Sequence, residues 1–538
     1  MSGERQTVID GLAPEIEELP GPRGATLLTF RGLQAGRRGA EDRWMDAQLD
    51  LLHPDAANER IAAAASDLGR RRRAQAPAPR APAVDLPGAG PRLGELLGAL
   101  SHALDMTEGQ PAGHCMRSCW IAQQVGRAIG LGTTELRDLY YATLLKDSGC
   151  SSNAARLCEL FLADDLAFKR DRRTVGLGLP SLLSFVIRHA GVQAGLGMRV
   201  RTLVNAVQNG GEIHRELTGT RCTRGAQIAR QLRFGEDVAE AIQGLDEQWD
   251  GGGQPQGLAG KEIPLYSRIA SLAQFVDVFH ASVGATATRQ EVARRSGRWF
   301  DPRLADVFAA LASDTAFWRQ LACDDLEQRV LEMEPAQQPQ PVDDDYLDDI
   351  AAAFGQIVDA KSPWTAGHSA RVGLITEQVA RQLVFAEPER RWLRRGALLH
   401  DIGKLGVSNR ILDKAGPLDT AEWAAVQRHA MHTEQILGRI GSFGVLARVA
   451  GAHHEKLDGS GYPRGLDARH IRLETRIITT ADIFDALTAD RPYRAAMPTA
   501  KALQVMRDSV GTAIDGDCLA ALERSLDVLA QFSAFGGL

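Results

Sequence analysis

Seven of the thirteen histidines fall after residue 360: His368, His400, His429, His432, His453, His454 and His470. Asp401 and Asp482 lie among them. A lone histidine in a helical protein is ordinarily a core or surface residue, so the grouping is the signal and no single ring is. Two pairs, His400-Asp401 and His453-His454, are adjacent in the chain. Neighbours on a helix diverge by about 100°. Both members of a pair can therefore reach one centre only where a helix end opens, or where two cations lie side by side and each residue serves one.

The second arrangement suits a definite chemistry. A carboxylate such as Asp401 has two oxygens and can bridge two cations while imidazoles fill terminal positions. Four or five imidazoles with two carboxylates exceed what a tetrahedral zinc needs, and no cysteine joins them. Mixed imidazole and carboxylate donors suit iron, manganese or similar divalent ions. Two such ions about 3.5–4 Å apart acidify a bound water and clamp both oxygens of an in-line phosphoryl displacement. Lys404, one helical turn beyond His400, would then set a positive charge against a phosphate oxygen. Its plain alternative is a solvated lysine at a helix end.

The elements that must position these residues read as helices. Val372, Ile375, Val379 and Leu383 recur at three- and four-residue steps and make one apolar face. Val-rich alternating runs are missing, which argues against a sheet-based core. "EKLDGSGYPRGLDARH" breaks the pattern with Gly, Pro and Asp and reads as a loop. At 538 residues the chain needs more than one hydrophobic core. Two stretches read as linkers: the basic, Pro/Ala-rich Arg70 to Arg92, and the Pro/Gln-rich, then acidic Glu334 to Asp345. The expected division is a partly disordered segment 1–90, a block 91–334, a linker 335–345 and a block 346–538. One helix is expected in the first segment, from Asp42 to Gly69.

The net charge of −6 gives no reason to expect DNA binding. No apolar run reaches the ~18 residues of a membrane span, and the amino terminus has no apolar signal region. Seven scattered cysteines without a CxxC pair read as reduced thiols in a cytoplasmic protein.

An internal repeat organises the two blocks. A shift of 254 residues lays "GHCMRSCWIAQQVGRAIG" over "GHSARVGLITEQVARQLV" and "ELRDLYYATLLKDSGC" over "ERRWLRRGALLHDIGK". His114 then falls on His368, Arg117 on Arg371 and Asp147 on Asp401. Further on the shift is 208, placing "DEQWDGGGQPQGL" over "HEKLDGSGYPRGL", so the first copy carries about 46 extra residues, expected around Phe161 to Gly191. The fold class expected is all-α, two tandem helical domains.

The order "GHSARV", "LLHDIGK", "RHAMHTEQIL", "AHHEKLDGSGYPRGL", "ADIFDALTADRPYR" resembles the HD-GYP family, a branch of the HD phosphohydrolases, over residues 343–530. The resemblance implies His368, His400, Asp401, His429, His453, His454 and Asp482 as ligands of two divalent ions, iron or manganese, with Asp401 bridging. It implies Lys404 at the scissile phosphate, and Tyr462, Arg491 and Arg494 around the nucleotide. A tyrosine ring and two guanidinium groups agree chemically with a guanine dinucleotide. Some family members hold a third metal through a glutamate where this chain has Trp364, so two ions are expected. His432 reads as solvent-facing and His470 as structural.

The first block resembles a decayed copy. Lys146 stands for His400, Cys150 for Lys404, Arg221 for His429, Leu245 and Asp246 for His453 and His454, Gln274 for Asp482, and Gln254 for Tyr462. Lys146 is expected to supply to Asp147 the charge a metal once supplied. The activity implied is hydrolysis of cyclic di-GMP to pGpG or GMP by a hydroxide held between two metals. Alternatives are a cyclic di-GMP-binding module docking GGDEF-type partners, or an HD phosphohydrolase for another nucleotide. A homodimer is compatible with either.

Overall fold

The computed structural model describes residues 91–172, 179–192, 195–334, 342–492 and 494–534, with the backbone of 16–20 and 26–30. Two compact units result, Met1–Leu68 and Gly69–Leu538. In the first, Ile16–Pro20 (β1) pairs antiparallel with Thr26–Phe30 (β2). This hairpin was not expected; its signal in the sequence is the string Gly-Pro-Arg-Gly between two short apolar-containing runs. The helix expected from Asp42 to Gly69 lies outside the described residues, as does the basic linker through residue 90.

The second unit is all-α among the described residues. Its tandem design shows in the element boundaries. His114–Ala128 (α1) and Thr133–Leu145 (α2) recur 254 residues later as His368–Gln382 (α5) and Glu387–Leu399 (α6). Leu265–Val283 (α4) recurs as Leu473–Thr488 (α8), starting 208 residues later. The loops match too: Gln254–Pro255 and Tyr462–Pro463, also 208 apart, are both cis. Val372, Ile375 and Val379 are buried on α5, as their spacing requires, with Leu383 packed at the edge.

The insertion keeps its expected length but runs further along the chain than the stretch Phe161 to Gly191. Leu196–Gln231 (α3) is 36 residues long against 18 for its counterpart Thr420–Leu437 (α7). The first half of α3, together with Asp165–Arg172 and Leu179–His189, belongs to the extra material. It closes a small core of its own around Phe161, Phe168, Phe185 and Ile213. The acidic end of the expected 335–345 linker is also corrected. Asp343 caps the helix Asp344–Asp359 by accepting from Tyr346 N, so the acidic residues start a helix, where the dipole favours them.

The two copies pack into one unit with a continuous hydrophobic core. Buried Tyr346 donates its hydroxyl to Leu232 O at 2.7 Å, and Gly441 N donates to Glu95 Oε1 at 2.7 Å. All seven cysteines are free. No helix among the described residues is long and apolar enough to cross a membrane.

Candidate metal centre

The adjacent pairs reach one centre because helices end there. Helix α6 stops at Leu399, His400 caps it, and Ile402–Gly406 continues as a 3-10 turn. His453 and His454 likewise follow the end of the helix Gly444–Ala450. The turn fits closely under α7: a Cβ on Gly403 would overlap the His429 carbonyl. Thr433 stitches the junction, donating Oγ1 to His400 O at 2.8 Å while accepting from Gly403 N at 3.1 Å.

Asp401 lies at the middle. Its Oδ2 faces His368 Nε2 at 3.4 Å and His400 Nε2 at 3.3 Å. Its Oδ1 faces His429 Nε2 at 3.4 Å and His453 Nε2 at 3.7 Å. Asp482 closes the first side, with Oδ1 3.4 Å from His368 Nε2 and 3.8 Å from His400 Nε2. The His454 ring lies 4.0 Å from that of His453 and 5.0 Å from that of His429. The two oxygens of one carboxylate thus address two separate sets of imidazoles. Three of these rings are fixed in the same way: the Nδ1 atoms of His400, His429 and His453 bond carbonyls three residues earlier, at 2.7, 2.5 and 2.7 Å. Each therefore presents Nε2 inward, as a ligand must.

The donor set fits divalent cations. His368 Nε2, His400 Nε2 and Asp401 Oδ1 are buried without a hydrogen-bond partner, and native proteins rarely leave such atoms unsatisfied. Three overlapping triads bring their ligand atoms within 4.8 Å of one another: His368/His400/Asp482, His400/Asp401/His453 and His429/His453/His454. Burial lowers the His429 and His453 pKa values to about 4 and about 3, so both rings are neutral donors near pH 7. Burial alone would also lower His400, but Asp401 and Asp482 beside it outweigh burial and push it up to about 10.

The substrate side is mixed. Tyr462 is brought in, its ring 4.8 Å from His454 and 6.3 Å from His429. Lys404 Nζ lies 2.5 Å from Asp401 Oδ2 and keeps 21% of its side chain exposed. The Arg494 guanidinium donates to the carbonyls of Ala486 and Leu487 at the end of α8 and to that of its neighbour Ala495. Arg491 is held to Arg494 through reciprocal backbone bonds of 2.8 and 3.1 Å. Trp364 is 40% exposed. His470 pairs with Asp467 at the surface. His432 is corrected: it is half-buried, with Nδ1 against Gly406.

Two residues escaped the sequence reading. Asp485 accepts from His368 Nδ1 at 2.7 Å and pairs with Arg371, so it sets the orientation of that ring. Glu455 accepts from Arg464 N and Leu466 N at 2.7 Å each, tying down the Gly-Tyr-Pro loop. Both have counterparts in the first copy, where Asp277 bonds His114 Nδ1 at 2.7 Å and Glu247 accepts from Gln256 N at 2.7 Å. Their survival in a copy without ligands was the available signal. Asp485→Asn should weaken metal retention about 10–100-fold, read by titrating bound metal against a chelator.

In the first copy Lys146, fully buried, forms an ion pair with Asp147 and sits 2.9 Å from His114 Nε2. Glu108, Asp147 and Cys150 are close enough together to hold an ion. However, Lys169 lies 3.3 Å from Glu108, Lys146 neutralises Asp147, and burial pushes the Cys150 thiol well above its ordinary value. Ammonium groups already balance these carboxylates, and the donors do not fit a metal.

A helical domain whose adjacent His–Asp pair lies at the hub of an imidazole cage is an HD domain, and the chain belongs to the HD domain family, in its HD-GYP branch. The family matches residues 157–304 and 353–518, a part of each copy. Over 437 residues the chain is 55% identical to the 3'3'-cGAMP-specific phosphodiesterase 3 of Vibrio cholerae, covering 81% of this chain and 95% of the relative. It is 34% identical over 170 residues to a cyclic di-GMP phosphodiesterase of Thermotoga maritima, 31% of this chain and 46% of that one. A crystal structure of a cyclic GMP-AMP specific phosphodiesterase from V. cholerae superposes with a TM-score of 0.57 at 49% identity, covering 81% of this chain and 98% of the other.

Proposed function

We propose that the second copy, 346–538, is a metal-dependent phosphodiesterase that opens a 3'3'-cyclic dinucleotide, with cyclic GMP-AMP as the first substrate. The observation that carries this reading is the orientation of Asp401, one oxygen toward His368 and His400 and the other toward His429 and His453. His368, His400, Asp401, His429, His453, His454 and Asp482 would hold two ions, iron or manganese. Such a pair, when bound, brings the pKa of water to about 7 and draws charge from the phosphodiester. The chain's own groups do the rest. Lys404, partly exposed, presents its ammonium to a phosphate oxygen. Tyr462, packed edge-on against Trp423 with ring centroids 5.9 Å apart, offers a face to a purine. No protein nucleophile is required.

The preference for cyclic GMP-AMP rests on the near-full-length relative, which is named for that substrate. Cyclic di-GMP is the second reading, favoured by shorter relatives such as the T. maritima enzyme. The two substrates differ in one purine, guanine in place of adenine, so discrimination must come from hydrogen bonds to that base. A site that bonds one base edge rejects the other by well over tenfold in kcat/KM. The test is chromatography of products after incubating the purified chain with each dinucleotide and Mn²⁺ or Fe²⁺. Faster loss of cyclic di-GMP would install the second reading. Binding of either without consumption would make the chain an interaction module, docking a GGDEF-type partner through the Gly-Tyr-Pro loop.

The same preparation should carry about two ions per chain by elemental analysis after anaerobic purification, not the four of two intact copies. A count near four would refute the role of Lys146.

A further inference from the structure

The copies meet at a buried carboxylate that the first one contributes. Asp165 belongs to the inserted segment, and its side chain is fully shielded from solvent. Its Oδ1 accepts from Ser408 Oγ at 2.8 Å and from Asn409 N at 2.8 Å. Its Oδ2 lies 3.4 Å from the buried ammonium of Lys361. Asn409 completes the cluster, donating Nδ2 to Lys361 O at 2.6 Å and to Asp413 Oδ2 at 2.7 Å. On its own side the insertion is pinned by Lys169, which donates to Thr107 O at 3.2 Å and Cys150 O at 2.9 Å.

These partners of Asp165 lie on two loops of the second copy. Lys361 precedes His368 by seven residues and Ser408 follows Lys404 by four. The turn Ile402–Gly406 is therefore held at two ends. Upstream, Gly403 is anchored to Thr433 within its own copy. Downstream, Ser408 and Asn409 are anchored to Asp165 of the other. Between them Gly406 lies under Met106, also of the first copy, whose Cε a Cβ there would overlap.

We propose that Asp165 is a positioning residue for Lys404: the copy that lost its metal donors sets the placement of the turn that bears the active copy's ammonium. This rests on the phosphodiesterase reading. It gives the insertion a task, because Asp165 lies in the extra segment that the second copy lacks. A buried carboxylate satisfied by Ser408, Asn409, the Cys158 thiol at 3.7 Å and an ammonium has one low-energy arrangement, so the loops it joins cannot drift independently.

A double-mutant cycle on the full chain separates positioning from general glue. Asp165→Asn should lower kcat about tenfold while KM stays within about twofold and metal content is unchanged. Placed on Lys404→Ala, the same substitution should change kcat by less than about twofold, because the group it positions is gone. Amide exchange across residues 402–409 should quicken in Asp165→Asn. Ser408→Ala, which removes one bond and keeps the ion pair, should lower kcat about threefold by the same logic, and decides the question if Asp165→Asn does not fold. A kcat within twofold of the parent, an undiminished loss on the Lys404→Ala background, or a parallel loss of metal would overturn the proposal. If the parent chain hydrolyses neither dinucleotide, the phosphodiesterase reading fails, and the exchange comparison alone decides: unchanged exchange across 402–409 overturns the link to the turn.

Discussion

Asp401→Ala should leave a folded chain that neither retains its metal nor turns over a cyclic dinucleotide. Among the described residues Asp401 alone has its two oxygens facing both sets of imidazoles, His368 and His400 on one side and His429 and His453 on the other. Burial opposes its charge, yet His400 and Lys404 beside it hold its carboxyl well below the ordinary value, so it is a full anion in the native state. Alanine would remove that anion from among the four imidazoles it faces and leave Lys404 without its partner. Loss of the paired cations forfeits several kcal/mol of charge stabilisation, so turnover should fall by at least about 10³-fold. Elemental analysis beside a turnover assay reads both effects. Two retained ions with near-parental turnover would contradict the arrangement proposed.

Whatever could be read from periodicity and repetition was legible. The apolar ladder on α5 and the 254-residue offset placed two helix pairs to the residue, because duplicated sequence folds by the same local rules. The His–Asp and His–His pairs pointed to a shared centre, since neighbours that diverge on a helix meet only at a helix end or at two cations lying side by side; here both pairs stand at helix ends. What escaped depends on pairs distant in the chain. Asp485 meets His368 across 117 positions and Asp165 meets Asn409 across 244. No local spacing encodes such a contact. Arg494 is the converse case. A conspicuous cation near the expected pocket bonds two carbonyls of the last turn of α8, those of Ala486 and Leu487, and that of its neighbour Ala495. The acidic residues 343–345 looked like linker only because a cap and a linker share the same composition.

Lys404→Ala should separate chemistry from metal binding. The ligand rings are held by bonds that do not involve Lys404: His400, His429 and His453 to carbonyls of their own helices, and His368 to Asp485. Metal content should therefore match the parent chain. Turnover should not. The Lys404 side chain is partly exposed while Asp401 behind it is closed to solvent, so Lys404 is the group of this pair that an incoming phosphate can reach. Removing one fixed donor aimed at developing negative charge costs about 10²–10³-fold in kcat. Lys404→Arg should recover part of that loss, because the charge returns with a different reach and a planar head. Should alanine strip metal in proportion to activity, Lys404 would be a structural counter-ion of Asp401, and the phosphate contact would have to come from another residue.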